Sequence, residues 1–241
     1  MPPLVMKDFF WALSVVMSRQ NLLPGIGYSL IPIWDFCNHK NGEITSSFSD
    51  GNCESFAIKD FRRGEEIHIC YGERPNYKLF LYSGFVLDGL LPFDSVPFSI
   101  DVMFEDDNIL LRANKKKNAE KYLAVTTGTV LVHNVEESVQ KSQLVKELWY
   151  QNILGVCRVA TASKEEMKIM WQKNNLMEPL SPENEAKSVE RLIKVISNHV
   201  GKLQSVDCES AFAANGQRAQ IVSSMLQLEL ALFNRFMAKI E

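Results

Sequence analysis

No run of about 18 apolar residues occurs in the 241-residue chain, which excludes a membrane-spanning helix by sequence. The amino terminus has no unbroken apolar stretch either. Lys7, Asp8 and Arg19 interrupt it, so it does not read as a secretory signal. There is no CxxC pair. The five cysteines, Cys37, Cys53, Cys70, Cys157 and Cys208, are odd in number and scattered, a pattern expected of a protein in a reducing, intracellular compartment. Charge of one sign is not in excess: 26 basic residues stand against 29 acidic ones, a net charge of -3. The one basic cluster, Lys115 to Lys117, reads as a solvated face, and nucleic-acid binding is not expected. Internal repeats and low-complexity tracts are absent.

What is present is a composition with enough apolar residues for a core: 46% hydrophobic and 23% charged, the balance of a globular chain. The character changes near residue 90. Before it, Asp8 to about Arg19 predicts a helix with Phe9, Leu13, Val16 and Met17 on one face. Pro24, Gly25 and Gly27 mark a loop, and Ser29 to Ile33 is short and apolar. Glu43–Phe48 and Cys53–Ile58 predict two strands joined by Ser49, Asp50, Gly51 and Asn52, residues suited to a turn. Ile67–Tyr71 predicts a third strand, and Asn76–Ser83 a short helix stopped by Gly84. After Pro92, a strand pair is predicted at Phe98–Phe104 and Ile109–Ala113. Helical periodicity then dominates. Ser163 and Glu166 fit a capping box, and Ser181-Pro182 fits the start of a helix. That helix carries Ala186, Val189, Leu192, Ile193, Ile196, Val200 and Leu203 on one face. A last helix carries Ile221, Met225, Leu228, Leu232, Phe236 and Ile240. Two such stripes predict a helical bundle. The fold class expected is therefore α+β: small antiparallel sheets with helices, then an all-α domain.

The stretch Ile31 to Gly72 carries the chemistry. It reads IPIWDFCNHKNG, a hairpin, then DFRRGEEIHICYG. Taken singly, its residues have bland readings: His39 a satisfied buried histidine, Trp34 plain core, Tyr71 a strand-end core residue, Arg19 and Arg74 surface charges. Asn21 reads equally as a helix C-cap, and Ser83 as the residue before a helix stop. His39, His68 and the nearby cysteines match no zinc-ligand spacing, so no metal is expected.

Taken together, an Asn-His pair followed by G-E-x-I-x-x-x-Y-G resembles the second half of a SET methyltransferase domain. MSRQNLLP (Met17 to Pro24) followed by LIPIWDFCNHKNG narrows the resemblance to the actin-histidine N-methyltransferase family. It implies a C-terminal SET half over residues 1–90 and a helical Rubisco-methyltransferase-like substrate-binding domain over 91–241. It also implies S-adenosylmethionine as cofactor, with Arg19, Asp35, Asn38, His39 and Ser83 contacting it. Tyr71 and Asn21 would be the catalytic residues, and Trp34 and Arg74 would receive the substrate. The implied partner is actin, methylated on a histidine by a cytoplasmic monomer, with the nucleus as a second compartment. Nothing here matches the family's glycine-rich first half, so the chain is expected to be N-terminally truncated. A lysine methyltransferase of the same family and a non-catalytic actin-binding fragment are the rival expectations.

Overall fold

The computed structural model describes residues 5–49, 51–104, 109–122, 129–134, 153–173, 178–211, 213 and 215–240. The chain forms two compact units, Met1–Val86 and Leu87–Glu241.

In the first unit, helix α1 (Met6–Arg19) follows the predicted apolar periodicity, yet none of its residues is buried. Phe9, Leu13, Val16 and Met17 form an exposed ridge. Strands β1 (Asn21–Leu23) and β2 (Gly27–Ser29) pair antiparallel across a tight loop. Gly25 and Gly27 take φ values of 74° and 99° there, a region open to glycine at no steric cost. The next reversal uses no glycine. The Trp34 amide donates to the Pro32 carbonyl at 2.8 Å, and Ile33 between them has φ 69° and ψ -50°. This is the rarer hand of γ-turn, strained for any L-residue and most of all for a β-branched one. One 3-10 turn follows over Trp34–Phe36.

Strand β3 (Asn38–His39) comes next, then β4 (Ser46–Ser49) and β5 (Asn52–Ser55), which form the predicted hairpin in a shorter version. Strand β6 (His68–Ile69) pairs parallel with β3, Asn38 facing His68 and His39 facing Ile69. Helix α2 (Asn76–Ser83) ends as expected. Gly84 is left-handed, at φ 77° and ψ 20°, and its amide returns to the Phe80 carbonyl.

The second unit holds the larger core. Strand β7 (Ser95–Ser99) pairs antiparallel with β8 (Thr129–His133). Helices α3 (Ile109–Tyr122), α4 (153–161), α5 (Lys164–Lys173), α6 (Pro182–Gln204), α7 (Cys208–Ala211) and α8 (Gly216–Ile240) complete it. Val96, Phe98 and Val132 from the sheet pack in one cluster with Val156 and Val159 of α4, Leu192 and Ile196 of α6, and Phe233 and Phe236 of α8. Both helix starts form as predicted. Ser163 N–H donates to Glu166 Oε2 at 2.9 Å while Glu166 N–H donates back to Ser163 Oγ at 3.2 Å. Ser181 Oγ accepts from Asn184 N–H at 3.0 Å.

Two expectations are corrected here. Ile109–Ala113 opens helix α3, and β7 finds its partner in β8 instead; a short apolar run fits either element until length decides. Lys115 is buried rather than solvated. Its ammonium donates to the Ala160 carbonyl at 2.9 Å, satisfying a carbonyl in the last turn of α4 that has no partner within its own helix.

Candidate active site

Six of the nine predicted site residues converge. Arg19 ends α1, Asn21 opens β1, Trp34 and Asp35 follow the γ-turn, and Tyr71 and Arg74 lie between β6 and α2. Together with Ser18 and Gln20 they line one small cavity of about 20 Å³. That is about the room one water molecule needs. A larger cavity of about 570 Å³ is lined by Thr45, Phe56, Ile58, Phe61 and Ile67 among others. None of the nine borders it.

Backbone contacts fix the small site. The Arg19 guanidinium donates to the Asp35 carbonyl and lies 5.7 Å from the Phe36 ring centroid. Asn21 Nδ2 donates to the Arg19 carbonyl at 3.0 Å, which leaves its Oδ1 as the group able to accept from a ligand N–H. The Tyr71 hydroxyl donates to the Cys37 carbonyl at 2.8 Å, and Arg74 stands 6.0 Å from the Tyr71 ring. Burial pushes the Tyr71 phenol up from its ordinary pKa, so it remains a neutral donor. The Trp34 indole N–H donates to Ser46 Oγ at 2.7 Å.

Asn38, His39 and Ser83 do not line this cavity. Asn38 Nδ2 donates to Glu66 Oε1 at 2.7 Å. His39 is buried, and its side chain is committed to the scaffold. Nδ1 accepts the Tyr71 amide at 3.1 Å, so Nε2 carries the proton toward Asn41 Oδ1 at 2.9 Å. Its ring lies 4.9 Å from that of Tyr71. The β3–β6 ladder makes this meeting: pairing His39 with Ile69 sets Tyr71 just beyond the ladder's end. Two polar atoms near these elements, Asp35 Oδ1 and Ser83 Oγ, are buried with no hydrogen-bond partner among the described residues. Such atoms cost free energy unless something satisfies them.

Residues that sequence reasoning passed over are the supports: Asn41 under His39, the Cys37 carbonyl under Tyr71, and Ser46 with Phe48 beside Trp34. Only the alternation of Ser46 and Phe48 along β4 hints at a shared face.

Burial lowers the His39 pKa below 6.5, partly offset by its bonds to Asn41 and the Ile69 backbone. The unfolded chain therefore binds a proton at His39 before the folded chain does. The resulting stability is complete above about pH 6.5 and is lost as pH falls through that value toward the lowered folded pKa. Melting temperature is expected to drop between pH 7.5 and 5.5, and to drop less in His39→Gln. Burial lowers His133 in the same direction, so the variant keeps part of the slope. Equal slopes would exclude a linked His39.

No protein-family model matches the chain. Sequence comparison finds actin-histidine N-methyltransferases from Homo sapiens and Dasypus novemcinctus, each 32% identical over 184 residues, covering 68% of this chain and 30% of theirs. The Canis lupus familiaris protein of the same name is 34% identical over 169 residues. The chain thus spans about a third of the length of the curated relatives it matches. Among solved structures, the SET domain of LSMT bound to lysine and AdoHcy is similar with a TM-score of 0.58 and 16% identity, over 99% of this chain and 55% of that one. Rubisco LSMT bound to sinefungin and monomethyllysine has a TM-score of 0.52. With that shared sequence in place, and with a fold like that of the SET-domain structures, the chain belongs to the family of the actin-histidine N-methyltransferases.

Proposed function

We propose that the chain carries the methyl-transfer site of an S-adenosylmethionine-dependent protein-histidine N-methyltransferase acting on actin, as a monomer in the cytoplasm. The observation that carries this reading is the convergence of Arg19, Asn21, Trp34, Tyr71 and Arg74 on one cavity. The relatives named for actin-histidine methylation support the substrate, and neighbours solved with AdoMet or AdoHcy support the cofactor.

The polar groups present suit that cofactor, and the cavity, about 20 Å³, must widen to admit it. Asp35 Oδ1 and Ser83 Oγ await a polar partner, and Arg19 offers a guanidinium suited to a carboxylate. Arg19, Asp35 and Ser83 are the residues whose side chains would hold it, while Asn38 and His39, whose side chains are bonded to Glu66, Asn41 and the Tyr71 amide, would contribute through the backbone of β3. When bound, S-adenosylmethionine supplies an electrophilic methyl on a sulfonium sulfur.

The protein's own work is positioning. An imidazole with a pKa near 6.5 is mostly neutral at pH 7, so its lone pair needs no strong base to expose it. Asn21 Oδ1 accepts one imidazole N–H and thereby presents the other nitrogen for attack. Trp34 and Tyr71 wall the approach, and their π faces favour the cationic methylated product before its N–H proton passes to solvent. A lysine of pKa about 10.4 would first have to lose a proton, and among the described residues no carboxylate beyond Asp35 lines the cavity to take it.

The test is methyl transfer from isotopically labelled S-adenosylmethionine to an actin peptide bearing histidine, against the same peptide with lysine there. Label on histidine supports the reading. Label on lysine alone overturns it in favour of the lysine enzyme, and no label on either favours a non-catalytic actin-binding role.

A further inference from the structure

The function proposed above assigns Trp34 to the substrate wall but leaves open what fixes the plane of its ring. Two observations bear on that. The Pro32–Ile33–Trp34 γ-turn forces the chain back at Trp34, and Ile33 holds a strained conformation to do so. Strain of this kind persists only where surrounding contacts over-determine it. At Trp34, the residue that closes the turn, such contacts come from the β4–β5 hairpin. Ser46 and Phe48 alternate with exposed residues along β4, so both side chains share one face. Ser46 Oγ takes the indole N–H at 2.7 Å, and the Phe48 ring meets the indole edge-on, at 5.4 Å and 80°. Ser55, directly opposite Ser46 in the hairpin register, lies 3.2 Å from it, hydroxyl to hydroxyl. An indole N–H can only donate. Ser46 Oγ supplies that acceptor, and Ser55 shares a hydrogen bond with it across the hairpin.

We propose that Ser46 is a positioning residue for target recognition: through its hydrogen bond to Trp34, with Phe48 as the second point of contact, the β4–β5 hairpin sets the indole plane against which the target side chain is received. The proposal rests on the methyltransferase reading for its consequence in turnover, and on geometry alone for the hold on Trp34.

The experiment uses the full chain labelled with ¹⁵N at indole nitrogens. Four tryptophans are present, and Trp34→Phe assigns the Trp34 signal. In Ser46→Ala the Trp34 indole proton is expected to move upfield and to exchange with water about 10-fold faster, the loss expected of one hydrogen bond. Ser46→Thr, which keeps the hydroxyl, restores both. KM for the histidine peptide rises several-fold in Ser46→Ala, while kcat and S-adenosylmethionine affinity hold. An unmoved indole signal in Ser46→Ala overturns the hold on Trp34, whatever the turnover. A moved signal with unchanged KM overturns the role in target recognition. Absence of transfer by the unmodified chain, alongside a signal that depends on Ser46, counts against the methyltransferase reading and leaves the hairpin's hold on Trp34 standing.

Discussion

Methyl transfer by the Tyr71→Phe variant is expected to fall about 100-fold in kcat with little change in peptide KM, the scale on which a misplacement of about 1 Å at a reacting centre acts. The reason is local. The Tyr71 hydroxyl is tied to the Cys37 carbonyl at 2.8 Å, one residue before the Asn38-His39 pair. Its amide is tied to His39 Nδ1 at 3.1 Å. One residue thus pins both ends of strand β3. Removing the hydroxyl leaves a carbonyl without its donor and frees the ring that walls the cavity. Stopped-flow or single-turnover kinetics check this. A variant with unchanged kcat would show that the hydroxyl has no part in placing the reacting groups.

The largest stability effect is expected within the second unit. Arg158 is only 2% exposed, and it meets Glu185 in a two-pronged ion pair with both N···O distances at 2.6 Å. Asn184 donates to the Arg158 carbonyl at 3.1 Å and to Thr161 Oγ1 at 3.0 Å, while Thr161 lies 3.0 Å from Ser188 Oγ. These bonds join α4 to α6. Arg158→Ala removes one charge and strands the other, a change that costs about 3–5 kcal/mol in buried pairs. The lower end applies, because Glu185 keeps 28% of its side chain in contact with solvent. The melting temperature of the helical unit should fall by roughly 10 °C. The double variant Arg158→Met/Glu185→Leu, with apolar groups of similar volume, should recover most of the loss. Calorimetric melts of the four proteins in the cycle measure the coupling. A single variant melting with the parent would show that the pair contributes nothing.

That network also shows where sequence reading stops. Hydrophobic stripes locate α6 and α8, yet two buried positions on α6 belong to Asn184 and Ser188, while Ala186 is exposed. Apolarity marks a face only where the neighbour is apolar too; here the neighbour presents Arg158 and Thr161. Lys115 escaped for the same reason, since its partner is a carbonyl 45 residues away. Local signals fared better. The Ser163–Glu166 box, the Ser181 cap and the Gly84 stop are each written within four residues. The two-residue β3–β6 ladder has no periodicity to detect, although it joins the Asn-His motif to the Tyr-Gly motif. Six of the nine residues that the motifs name meet at the cavity. Its supports were not legible, because Ser46 to Trp34 and His39 to Tyr71 are long-range bonds that only the folded chain makes. The α1 stripe was legible as well, but not that its apolar ridge stays exposed among the described residues.

The proposed function requires that the site around Arg19, Asp35 and Tyr71 hold the methyl donor. Calorimetric titration of the 241-residue chain with S-adenosylmethionine tests this most directly. Saturable one-to-one binding is expected, weakened in each of Arg19→Met and Asp35→Ala. A chain that is folded by circular dichroism and gives no binding heat at several temperatures would contradict it.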